Sequence, residues 1–302
     1  MAKTVLSRYL NPEVLSQVAD RSVDPQGLVI GNLAGAHKSP LSGFAVEFAG
    51  HREYVPGDDP KHLDWRVYFS RDKYFVKQYE LETNFVCHLL LDVSASMRYG
   101  EQSQQKLLYA AQMATSLGYS IIKQSDKVSL ATFDDAIRGI VAPSNSLDQI
   151  VRMTHHLDDI DPVEKSEMGD CLNELAGRMG RREIVMIFSD FFAPAEQIES
   201  AVQRMRYNRH EVVLFQILHH DEVDFPFDAM TKFVGLEIPE ELLAQPDDLR
   251  KAYLKALNRF NEELEDIAHR NQCERVVVDT SRPMSETLLD YLNRRSMLAQ
   301  AR

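Results

Sequence analysis

The chain has few cysteines, a single tryptophan, no excess of positive charge and no long apolar run. Each lack excludes something. Cys87, Cys171 and Cys273 are its only cysteines in 302 residues. They are odd in number, far apart and in no C-x-x-C pair, which predicts buried thiols in a reducing compartment rather than a disulfide framework. Lys and Arg number 34 against 46 Asp and Glu, a formal charge of −12. Phosphate binding needs a basic face, so nucleic acid is not an expected partner. Leu89 to Leu91 and their neighbours make a run far shorter than the roughly 20 residues that span a bilayer. The start, M-A-K-T-V-L-S-R-Y-L, has no apolar stretch like that of a signal peptide. These readings predict a cytoplasmic protein with no membrane span. Walker A, G-x-G-x-x-G and H-E-x-x-H are all missing, which argues against nucleotide binding and zinc-protease chemistry. The pairs His155–His156 and His219–His220 have no third ligand at metal spacing.

What is present is an ordinary globular composition, 44% hydrophobic and 26% charged. Residues 1–80 are punctuated by Gly27, Gly31, Gly35, Gly43, Gly50 and the run P-G-D-D-P at 56–60. A short helix is expected within 11–20, and short extended pieces at 44–48 and 74–79. This reads as an N-terminal segment packed on a main domain, 81–302. In the main domain apolar strands alternate with amphipathic helices. Strands are expected at 85–91, 128–133, 137–141, 184–189, 212–218 and 276–278. Helices are expected at about 107–121, 146–156, 168–179, 194–207 and 283–295. An insertion at about 219–272 carries a helical stripe of Leu249, Tyr253, Leu257, Phe260, Leu264 and Ile267. The simplest reading of that stripe is a helix packed on its own domain. Strands separated by helices predict an α/β fold: a doubly wound, mostly parallel sheet flanked by helices.

Such sheets bind ligands beyond the carboxyl ends of their strands. The first strand ends D-V-S-A-S-M, Asp92 to Met97, and a later one ends F-S-D-F, Phe188 to Phe191. A carboxylate flanked by hydroxyls suits a small hard cation, because magnesium takes oxygen ligands and keeps some waters. Alternate residues of a loop leaving a strand point the same way, so Asp92, Ser94 and Ser96 are candidate ligands, and Asp190 adds a second carboxylate. Capping of the next helix is the structural alternative for Asp92, Ser94 and Ser96.

D-V-S-A-S resembles the metal-ion-dependent adhesion site of von Willebrand factor type A domains. That resemblance implies two more ligand loops. E-K-S-E-M-G-D-C-L, 164–172, is similar to the family's threonine loop and sets Ser166 at the threonine position. I-F-S-D is similar to the third loop, with Asp190 as its aspartate. E-F-A-G-H-R-E-Y-V-P-G-D-D-P-K-H-L-D-W-R, 47–66, resembles the signature of the domain of unknown function 58 family, whose bacterial members carry it before a type A domain. The resemblance spans roughly residues 25–295. It implies a von Willebrand factor type A-like fold and a non-enzymatic, cation-dependent protein-interaction module. The cation would be magnesium, with manganese or calcium as alternatives, held by Asp92, Ser94, Ser96, Ser166 and Asp190. It also implies a protein partner offering a carboxylate, a MoxR-type AAA+ ATPase or its client, and a role in complex assembly or maturation.

Two other readings stand beside these. Haloacid-dehalogenase-like phosphatases also place an aspartate after a buried strand, in D-x-D-x-T; here Ser94 stands where the second acid belongs. The group Arg52, Asp58, Asp59, Asp64 and Arg66 is either a partner surface or a turn whose aspartates bond local backbone, and the turn is favoured. Trp65 is expected in the core.

Overall fold

The structure, a computed structural model, describes residues 5–18, 21–26, 34–38, 47–71, 73–80, 82–160, 168–236 and 241–300. The chain forms two compact units, one of residues 27–85 and one of residues 1–26 with 86–302. The expected boundary near residue 80 therefore shifts, and the first 26 residues go to the other side of it. Two contacts explain the change. The Tyr9 hydroxyl donates to the Leu157 carbonyl at 3.3 Å, and Arg8 pairs with Asp158 at 2.9 Å. The helix Pro12–Val18 buries Val14 and Val18 in the same unit. Glycine-rich sequence after residue 26 obscured this division.

The larger unit is built on a six-stranded sheet. Its strands are β1 (Val86–Asp92), β2 (Lys127–Phe133), β3 (Ile137–Ser144), β4 (Ile184–Ser189), β5 (Glu211–Leu218) and β6 (Glu274–Asp279). Their spatial order is β6-β5-β4-β1-β2-β3. All pairings are parallel except β2 with β3, an antiparallel edge hairpin. Every residue of β4 is buried, and so are all but two of β1, as strands covered on both faces require. The helices are α1 (Lys106–Lys123), α2 (Asp148–Asp158), α3 (Met168–Arg178), α4 (Ala195–Tyr207), α5 (His220–Asp224), α6 (Pro246–Arg270) and α7 (Met284–Gln300).

The two faces have distinct cores. Leu90, Val185, Ile187 and Leu214 pack with Leu172, Met205 and Leu264, from α3, α4 and α6. On the opposite face Phe188 stacks on Phe215, which meets Tyr291 of α7 edge-on. Each fully buried side chain of this size stabilises the fold by about 1.5–3 kcal/mol. α1 lies close against the sheet through Gly118, where a Cβ would sit 3.1 Å from Met153 Cε and 3.4 Å from Leu89 Cδ1. The insertion stripe packs on its own unit: Leu257, Leu264 and Ile267 are buried, and Tyr253 meets Phe225 at 5.0 Å. Among the described residues no helix is long and apolar enough to cross a membrane.

In the smaller unit the strand Glu47–Glu53 pairs antiparallel with Phe75–Glu80. The P-G-D-D-P aspartates do local work. Asp58 accepts from the Val55 N–H and pairs with Arg52, and Asp59 caps the turn Pro60–His62. Asp64 accepts from the Arg66 N–H at the start of the helix Trp65–Arg71 and meets His51. Trp65 departs from expectation: it is 54% exposed, because it opens that helix next to Tyr68 instead of entering a strand core.

Candidate metal centre

Strand order places the site. The chain winds outward from β1 to β2 and β3 on one side and from β4 to β5 and β6 on the other. The order reverses between β1 and β4, the point where doubly wound sheets open a crevice at their carboxyl ends. Leu91 lies beside Phe188 in the parallel register. Asp92 ends β1, and Asp190 follows the last residue of β4. The topology thus brings together two strand-end carboxylates that the sequence separates by almost a hundred residues.

Asp92 is 1% exposed and both of its oxygens are engaged. Oδ1 accepts from the Ser94 N–H at 2.9 Å, and Oδ2 accepts from the Ser189 hydroxyl at 2.6 Å. Ser189 Oγ in turn accepts from the Phe191 N–H. Burial, followed by the nearby negative charge of Asp190, pushes the Asp92 carboxyl up to about 7; its bonds to Ser189 and Ser94 oppose the rise without cancelling it. A carboxylate in this position gains from any cation placed beside it. Asp190, also 1% exposed, accepts from the Phe192 N–H through Oδ1. Phe191 between them is buried with φ +60°. A bulky residue in the left-handed region costs about 1–3 kcal/mol, and such strain gathers at functional loops.

The hydroxyls of Ser94 and Ser96 share a hydrogen bond at 3.1 Å. Neighbouring oxygens of an octahedral magnesium with bonds of about 2.0–2.1 Å lie about 2.9 Å apart. The donors at this site are carboxylate and hydroxyl oxygens, the set that hard divalent cations take. Among the described residues no group of three His, Cys, Asp or Glu is arranged to hold a metal, so a cation here would rest on two carboxylates with hydroxyls and water. The residues present fit magnesium-type coordination. Of the four described candidates only Ser96 is more than 1% exposed and leads outward. Ser166 lies outside the described residues. The capping role expected as an alternative for the D-x-S-x-S segment is not filled by a serine: Ala95 stands at the cap of the short turn Ser96–Arg98 that follows, and α1 begins at Lys106 after Gln105, whose side chain donates to the Arg98 carbonyl and makes no capping bond.

Lys106 is a site residue that sequence reasoning missed. Its side chain is 0% exposed, and its ammonium donates to Asp190 Oδ2 and to Glu222 Oε1, each at 2.8 Å. It also lies 5.3 Å from the centre of the Phe192 ring. Burial opposes its charge, but Asp190 and Glu222 outweigh burial and hold its pKa above the ordinary lysine value. Glu222 belongs to α5, where its other oxygen accepts from the His219 N–H while the His219 ring accepts from the Asp221 N–H. Tyr99 donates to Asp221 and meets the His219 ring edge-on. This explains the His219–His220 pair as a cap and its neighbour. A signal for Lys106 did exist: it falls in helical phase with Tyr109, Ala110 and Met113, on the buried stripe of α1.

Asp134, at the end of β2, is buried too, but the Arg138 guanidinium meets both of its oxygens at 2.7 Å. It serves the turn into β3. His156 bonds Thr132 Oγ1 at 2.9 Å, so it is a core contact.

Uncharacterized proteins of Mycobacterium bovis and Mycobacterium tuberculosis are 24% identical over 199 residues, covering 65% of this chain and 62% of theirs. The chain thus matches about three fifths of the length of those relatives. Among solved structures, the conserved hypothetical protein BatB of Bacteroides thetaiotaomicron is similar with a TM-score of 0.44, at 13% identity, over 72% of this chain and 100% of that one. An aerotolerance-related membrane protein of Bacteroides fragilis gives 0.45, at 16% identity, over 70% and 100%. The SpRpn10 VWA domain gives 0.39, at 15% identity, over 69% and 95%. The family described as "Protein of unknown function DUF58" matches residues 50–263, more than half of the sequence, and the chain belongs to that family.

Proposed function

We propose that this protein is a non-enzymatic protein-interaction module that works through a divalent cation, magnesium first and manganese or calcium as alternatives. The observation that carries the reading is the pair of Ser94 and Ser96 hydroxyls at coordination spacing, beside two buried carboxylates at the reversal point of the sheet. Asp92, Ser94, Ser96 and Asp190 would hold the cation directly or through water. Ser166, matching the threonine position of the related adhesion site, would complete the set. Two carboxylates balance one dication and leave it able to take a carboxylate from a partner protein. The family resemblance points to a MoxR-type AAA+ ATPase or its client as that partner, and to a role in assembling or maturing a protein complex inside the cell.

Phosphatase chemistry has less support. The nucleophile position, Asp92, has both oxygens accepting hydrogen bonds, and Ser94 stands where the general acid belongs. Turnover of a simple phosphate ester that disappears in Asp92→Ala would reverse this ranking.

The test is capture of partners from native cell extract by immobilised protein, in magnesium and in EDTA, for wild type and Asp92→Ala. Magnesium-dependent recovery of an AAA+ ATPase or a client by wild type alone is expected. A set of captured proteins indifferent to both magnesium and Asp92 would contradict the reading.

A further inference from the structure

The ammonium of Lys106 does not belong to the ligand set just described, yet it touches it. It is fully buried and bonds two carboxylates from two different elements, Asp190 after β4 and Glu222 on α5, at the same 2.8 Å. The formal charge of the cluster is informative. Asp92, Asp190 and Glu222 contribute −3 and Lys106 contributes +1, which leaves −2, the charge one dication neutralises. Asp190 itself is fully engaged, with Oδ1 on the Phe192 N–H and Oδ2 on Lys106. Two cations crowded on one carboxylate in a buried setting repel strongly, because little water screens them. Lysine is suited to yielding: it carries a compact charge on a flexible four-carbon stem. Glu222 is suited to receiving, because the cap with His219 fixes it and one of its oxygens already lies on the ammonium.

We propose that Lys106 is the built-in counter-cation of this site. It neutralises Asp190 when no metal is bound, and a divalent cation takes Asp190 from it, with Glu222 accepting the displaced ammonium. The inference rests on the cation reading above. It adds that Lys106 sets cation affinity from within. Glu222 is then a positioning residue for Lys106 and not a ligand.

The two partners of the ammonium make the proposal testable with shifts of opposite sign. Manganese is titrated into wild type, Lys106→Met, Glu222→Gln and Asp221→Asn, with bound ion read by electron paramagnetic resonance and folding checked by thermal melting in EDTA. Lys106→Met is expected to bind manganese about tenfold tighter or more, because a like charge beside the ion is removed. Its melting temperature in EDTA falls and is recovered by manganese to a greater extent than in wild type. Glu222→Gln is expected to bind several-fold weaker, because the displaced ammonium loses its acceptor. Asp221→Asn removes the same charge one residue away, from a side chain bonded to Tyr99, and is expected to shift affinity less. Equal or weaker binding by Lys106→Met would overturn the proposal and make Lys106 a support for Asp190. A shift in Asp221→Asn as large as that in Glu222→Gln would overturn it too, by showing a diffuse charge effect. Should Lys106→Met not fold, Glu222→Gln decides alone, and unchanged or tighter binding overturns the proposal. Manganese binding by no variant and not by wild type would remove the cation reading and this inference together. Equal binding by all four would remove only the inference.

Discussion

Replacing Asp92 by asparagine should make the cation-free protein more stable while abolishing its response to magnesium. The Asp92 carboxyl is raised from its ordinary 3.8 to about 7, chiefly by burial. The folded state therefore holds a proton that the unfolded state releases across that window. Stability falls as pH rises wherever the folded state binds more protons, so in EDTA wild type weakens from about pH 4 to pH 7. At about 1.4 kcal/mol per pH unit, the distance from 3.8 to about 7 gives an upper bound of about 4 kcal/mol at pH 8. The amide of Asp92→Asn still accepts from the Ser94 N–H and donates to Ser189 Oγ, so it avoids the charge cost without losing both bonds. For a domain of this size, about 2–4 °C of melting temperature accompanies each kcal/mol, and the variant should melt several degrees above wild type in EDTA at pH 8. Magnesium at a hundredfold its dissociation constant should stabilise wild type by about 2.7 kcal/mol and leave the variant unmoved. The assay is a thermal melt at pH 6 and pH 8, with EDTA or magnesium. A variant that melts below wild type in EDTA at pH 8 would refute the reasoning, because Asp92 would then be a structural cap stabilised as a carboxylate.

Other consequences can be checked in the same format. Ser189→Ala removes a 2.6 Å bond to the Asp92 carboxylate and should lower stability by about 1.5–3 kcal/mol, measured by urea unfolding. Arg295→Ala removes the fully buried guanidinium that pairs with Glu211, while Glu274 keeps Arg294 at 2.8 Å, and should cost about 3 kcal/mol in the same measurement. Burial holds the His156 ring below its ordinary 6.5, so its contribution is intact above that pH and is lost as pH falls through 6.5 and below. His156→Gln should therefore lose less melting temperature than wild type between pH 7.5 and pH 5.5; an identical loss would clear His156 of any part in acid sensitivity.

The strand ends were legible because burial writes itself as apolar runs: Leu89 to Leu91 before Asp92, and Ile184 to Phe188 before Asp190. The same runs, alternating with helical stripes, made the sheet and its flanking helices readable. The P-G-D-D-P turn was readable from the local chemistry of Asp58 and Asp59. The pairing of Lys106 with Asp190 and Glu222 was not, although the place of Lys106 on the buried stripe of α1 was. The two carboxylates stand 84 and 116 residues from Lys106, and only tertiary structure brings the charges together. A lysine on an apolar stripe reads as an interruption until its carboxylates are found. Trp65 was misplaced because size alone argues for burial, whereas its position at the start of a short helix leaves it exposed. The first 26 residues were assigned to the wrong unit because nothing in Arg8 or Tyr9 announces Asp158 and Leu157 as partners.

The most direct test of the cation site is a manganese titration of wild type against the double variant Ser94→Ala/Ser96→Ala, following free ion by electron paramagnetic resonance. Loss of the two hydroxyls leaves both carboxylates and Lys106 in place and removes only the oxygen pair set 3.1 Å apart. One manganese per chain on wild type and none on the double variant is the predicted result. Equal binding by the two proteins, or none by wild type, would contradict the account.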